Sequence, residues 1–150
     1  MEYDRIYYVS RLRLVSNIEH GLVNEEGSSY AYDLEERLIT FAVSICTIAE
    51  SLPSNRVGNH VAGQLIRCGT SPAPNYGEAQ GAESRKDFIH KMKVCLKELR
   101  ETHVWLKFVK RMKLYESDDL EMALKEGNEL ISIFVRSILT AQRNTRTKAP

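Results

Sequence analysis

Between Ala82 and Met112 the chain carries two stripes that a single helix keeps apart. Phe88, Met92, Cys95, Leu99, Leu106 and Val109 recur at steps of four, three, four, seven and three, the spacing that gathers side chains on one helical face. Lys86, His90, Lys93, Lys97, Arg100, Lys107 and Arg111 recur at four, three, four, three, seven and four. At 3.6 residues per turn these seven fall within roughly 100° of arc. The segment therefore reads as one long amphipathic helix, apolar toward a core and cationic elsewhere. Like charges at i,i+3 and i,i+4 repel, so the basic face must meet water or an anion.

Charge is unevenly spread along the chain. Residues 83–113 hold ten lysines and arginines against four acids, a net of +6, which leaves −5 for the rest of a 150-residue chain whose total is +1. Such asymmetry is an argument about partners more than about chemistry. The length suits one domain. Three cysteines, Cys46, Cys68 and Cys95, are odd in number and lie inside apolar helical patterns, which predicts reduced core thiols and a cytoplasmic setting. No apolar run is long enough for a membrane span, and the N-terminus lacks the pattern of a secretory signal, so neither is expected.

Three further helices follow from periodicity. Asp33 and Glu36 form a capping-box-like start for Leu34, Leu38, Phe41, Ile45, Ile48 and Leu52, with Pro53 ending the helix. A second helix is expected from about Asn59, turning Val61, Leu65 and either Cys68 or Ile66 inward. Gly69, Pro72, Pro74 and Gly77 predict a kink or break between Thr70 and Asn75, and Tyr76 and Ala79 suggest a resumed turn. Ser117, Asp118 and Glu121 cap a last helix whose core edge reads Leu120, Leu124, Ile131, Phe134 and Ile138. Four amphipathic helices with short connections specify an all-α, up-down-up-down four-helix bundle, placed at residues 30–144 with a polar tail at 145–150. Residues 1–29 read as a separate arm, poorly ordered or a start-site extension, whose apolar run from Ile6 to Val15 suits a short helix or a strand.

An ordered set of motifs runs through this pattern. It comprises Gln64 to Arg67 (QLIR), Thr70 to Ala79 (TSPAPNYGEA), Ala82 to Lys91 (AESRKDFIHK), Leu96 to Glu101 (LKELRE), Trp105-Leu106, and Asn128 to Val135 (NELISIFV). Together these resemble the bacterial four-helix-bundle family of 23S rRNA intervening-sequence proteins, over roughly Tyr32 to Asn144. The resemblance implies a left-handed bundle, assembly into a homopentamer, and no enzymatic activity.

Several residue sets are candidates for function. The basic stripe of Lys86, His90, Lys93, Lys97, Arg100, Lys107 and Arg111 reads either as a solvated face or as a phosphate-binding one, engaging RNA or single-stranded nucleic acid. In a scaffold protein the same stripe would contact acidic protein surfaces. A minor stripe of Val94, Glu98, Glu101, Trp105, Phe108 and Met112 repeats in four-three steps. Val94, Trp105, Phe108 and Met112 in it are expected at a protomer interface, with base stacking by Trp105 and Phe108 as the other reading. Arg67, Asn75, Glu78, Arg85 and Asp87 read as a structural polar motif pairing across the kink. His20, His60, His90 and His103 form no H-E-x-x-H pair, and P-loop and G-x-S-x-G motifs are absent from the sequence. The reading therefore includes no metal, no cofactor and no catalytic residue.

Overall fold

A computed structural model describes residues 34–146, with side chains through residue 143. The arm at 1–29, the capping residue Asp33 and the end of the tail lie outside the described residues. All regular structure within them is helical: α1 (Leu34–Glu50), α2 (Arg56–Thr70), α3 (Pro72–Gln80), α4 (Arg85–Arg111) and α5 (Asp118–Arg146). The last helix runs to Arg146, into the stretch expected as a polar tail.

The α2 and α3 helices are two arms of one kinked segment. Ser71 between them keeps helical angles, φ −65 and ψ −36, and Pro72 follows at the first position of α3, where its missing N–H costs nothing. The Asn75 side-chain amide donates to the Ser71 carbonyl at 2.8 Å and to its hydroxyl at 3.0 Å, which pins the joint. The expected kink thus falls at Ser71. Tyr76 and Ala79 beyond it are buried, so the resumed turn is a full nine-residue helix. With α2 and α3 taken together, the fold is a four-helix bundle. Each segment packs on its neighbours in sequence, and α1 closes against α5.

Two helix starts differ from expectation because capping side chains decide them. The α2 helix begins at Arg56, three residues before Asn59, since Asn55 accepts from the Gly58 N–H at 2.9 Å. The α4 helix begins at Arg85, after Ser84, whose hydroxyl accepts from the Asp87 N–H at 3.1 Å while Asp87 accepts from the Glu83 N–H at 3.3 Å. The two bonds resemble a capping box, with aspartate in the place of glutamate and its return bond made to the residue before the cap. At its far end Lys113 takes a left-handed φ of 53, and the Leu114 N–H closes back on the Val109 carbonyl at 3.1 Å, a form of C-terminal stop.

The core is assembled from the expected faces, with one rotation. Leu38, Phe41, Ile45 and Ile48 of α1, Val61, Leu65 and Cys68 of α2, and Phe88, Met92, Cys95, Leu99, Leu106 and Val109 of α4 are all buried. Ile66, the other candidate in α2, is turned outward. On α5 the buried arc is Leu120, Ala123, Leu130, Phe134, Ile138 and Ala141, whereas Leu124 and Ile131 only flank it. This rotates the core edge by roughly 50° from the one read off the large apolar residues. Gly127 lies on this arc, where a Cβ would make ordinary van der Waals contact with the Phe41 ring at 3.4 Å and with His103 Nδ1 at 3.5 Å.

Candidate nucleic-acid interface

The α4 helix presents the basic stripe outward. Lys86, His90, Lys93, Lys97, Arg100, Lys107 and Arg111 are all exposed, because the apolar core face of the same helix points the other way. Among the described residues only Lys97 has a carboxylate within 4 Å, the Glu98 oxygen at 3.6 Å. Four cations off the stripe behave differently. Arg37 is held by Glu126 at 2.5 and 2.8 Å and by Glu129 at 2.6 Å, Lys91 by Asp87 at 2.8 Å, Lys110 by Glu121 at 2.6 Å, and Arg67 by Glu101. Lys91 illustrates the contrast on the same helix. Its hydrogen bond with Asp87 holds the carboxyl below the usual aspartate range and raises the ammonium above the usual lysine range, so its charge is locally matched while the stripe's is not.

One position interrupts the stripe. Val104 occupies the register place between Arg100 and Lys107 and is 62% exposed. Around it Phe108 is 36% and Met112 50% exposed. Trp105, half-buried against the core, stands edge-on to Phe108 at 5.6 Å and to His60 of α2 at 5.8 Å. Val57, one turn before His60, is exposed as well. An apolar patch therefore covers the C-terminal half of α4 and the start of α2. Of the proposed interface set, Val94 stands apart, half-buried nearer the other end.

The minor stripe conceals an ion-pair site. Glu98 and Glu101 belong to it by spacing, yet both face Arg67 across the α2–α4 contact, Glu98 at 3.7 Å and 7% exposed. Arg67 also bonds Gln64 at 3.1 Å. Three residues of the polar motif have individual roles. Arg67 ties α2 to α4, Asn75 pins Ser71, and Asp87 caps α4. Glu78 is exposed with no ion pair within 4 Å among the described residues, and Arg85 is half-buried at the first position of α4. Spacing could not reveal Glu98 as buried, since glutamate carries no apolar signal. The one hint was a pair of carboxylates three residues apart inside a hydrophobic period.

The remaining reactive groups are set in packing. Cys68 and Cys95 are fully buried free thiols and Cys46 is partly so. Burial pushes the Cys95 thiol up to about 12, which leaves it protonated and inert as a nucleophile. Burial, with Lys107 nearby, lowers the His103 pKa. Among the described residues no cluster of His, Cys, Asp and Glu could hold a metal ion, and no helix is long and apolar enough to cross a membrane.

Residues 32–136 match the family described as 23S rRNA-intervening sequence protein. A solved structure from Bacteroides thetaiotaomicron, described as a protein of unknown function from the S23 ribosomal protein family, aligns at 30% identity with a TM-score of 0.64. The alignment covers 69% of this chain and 96% of that one. No curated protein matches the chain.

Proposed function

The chain belongs to the 23S rRNA-intervening sequence protein family, and from that premise we propose that it is a non-enzymatic, self-assembling bundle whose α4 face binds nucleic acid, RNA foremost. One observation carries the reading: six lysines and arginines and one histidine aligned on one helix, all exposed, six of the seven without a carboxylate within reach among the described residues. Lysine and arginine side chains placed on phosphates release condensed counterions, so affinity should fall steeply with salt and depend little on sequence. Replacing Lys93, Lys97 and Arg100 together with Gln keeps helix propensity nearly constant. It should weaken RNA binding across all sequences and flatten the log–log salt slope by about 2 to 3 units. Filter binding over a salt series measures both. An unchanged slope would reduce the stripe to a solvated face and favour a scaffold whose basic surface meets acidic proteins.

The apolar patch supports self-assembly. Exposed Val104, Phe108 and Met112 around a half-buried tryptophan have the make-up of an interface core, with aromatics and methionine enriched and charge at the rim. Five protomers, as the family resemblance implies, would give about 86 kDa from a 17.2 kDa chain. Trp105→Ala should weaken each protomer contact by about 2 kcal/mol or more, visible by light scattering as a lower mass at micromolar concentration. A wild-type monomer under those conditions would remove the assembly from this reading, together with the role of Trp105 in it. A reducing compartment such as the cytoplasm fits the free thiols.

A further inference from the structure

Resting on the nucleic-acid reading above, we propose that the ligand of α4 is a double helix, gripped by its phosphates between Lys86 and Arg100. Within that stretch Lys86, His90, Lys93, Lys97 and Arg100 are exposed and span about 21 Å along a straight axis at 1.5 Å per residue. The row is uninterrupted. Beyond it Val104 breaks the register and opens the apolar patch.

A single strand asks for different surroundings. Proteins that hold unpaired nucleic acid combine a basic groove that tracks the backbone with aromatic rings on which bases stack. Among the described residues no exposed aromatic ring stands along the first five positions. A groove between α1 and α5 beside Phe41 and Met122 and another between α1 and the Ser71 joint beside Val43 and Ala73 take no residue from α4. Phe108 is exposed on α4 but sits about 12 Å past Arg100 at helical rise, where its ring is engaged edge-on with Trp105. What remains is a convex rod of charge. A duplex is the complementary shape, since it displays phosphates on its outer surface at about one charge per 1.7 Å of axis. Such a contact needs neither a cleft nor access to base faces.

The test is a competition titration with the full chain, using a short blunt duplex RNA and poly(U), each over a salt series. Lys86→Gln/Lys93→Gln/Lys97→Gln/Arg100→Gln is compared with wild type, and Lys93→Gln alone serves as the milder variant. The expected result is that duplex displaces poly(U) and excess poly(U) fails to displace duplex. The duplex salt slope should flatten by about 3.6 units in the fourfold variant and about 0.9 in the single one. If poly(U) binds as tightly as duplex or more tightly, the duplex proposal is overturned while the nucleic-acid reading stands. If duplex binds with a slope that neither variant changes, the placement on α4 is wrong. If neither polymer binds at low salt, the nucleic-acid reading falls and this proposal with it.

Discussion

Phe134→Ala should destabilise the bundle by about 4 kcal/mol, a large share of what a domain of this size has in reserve. Phe134 is 0% exposed and stands edge-on to Tyr76 of α3 at 5.9 Å between ring centroids. Its removal opens a cavity where α5 meets the far side of the kink, and it deletes an aromatic pair worth about 1 kcal/mol beyond its buried area. Tyr76 then loses the partner that holds α3 against the last helix. Chemical denaturation followed by helical circular dichroism measures the change. A loss below about 1 kcal/mol would mean that α3 and α5 do not share a core.

The pairing of Tyr76 with Phe134 shows which parts of the fold were legible and why. Long helices with large apolar residues at four-three spacing declare their buried faces, so α1 and α4 were readable nearly residue by residue. The break at Ser71 was readable from Pro72 and Pro74, because a ring without an N–H has few places in a helix. Less legible was everything set by small or polar side chains. Ala123, Gly127 and Ala141 add little to a hydrophobic period, yet they are buried on α5 and lie on the side toward which its core edge is shifted. Asn55 and Ser84 move two helix starts by single hydrogen bonds.

The candidate site divides in the same way. The basic stripe could be drawn from spacing alone, since charge opposite an apolar face has to point outward. What spacing could not show was which cations are already matched. Arg67 lies 34 positions from Glu101 in sequence and bonds it only because α2 and α4 are adjacent. The significance of Val104 was hidden for a related reason. A lone valine is unremarkable in sequence, and only its exposure beside Phe108 and Met112 marks where an apolar patch begins alongside the charged stripe.

Gly69→Val should cost about 3 kcal/mol, through overpacking where α2 crosses α1. A Cβ built on Gly69 meets the Ile45 Cγ2 at 2.5 Å and its Cβ at 3.0 Å. Ile45 is fully buried, and a β-branched side chain on a helix has almost no alternative rotamer to offer. The added methyls must therefore push the helices apart or strain the joint at Ser71 two residues on. The diagnostic is a double-mutant cycle with Ile45→Ala. That change alone should cost about 3 kcal/mol as a cavity, and it removes as many carbons as Gly69→Val adds. Additive effects would total about 6 kcal/mol, enough to unfold many domains of this size. Residues in direct contact couple by up to about 3 kcal/mol, so the double variant should instead sit within about 1 kcal/mol of either single one. Strict additivity would show that the cost of Gly69→Val does not arise from its contact with Ile45, and that the closeness of α1 and α2 is set elsewhere.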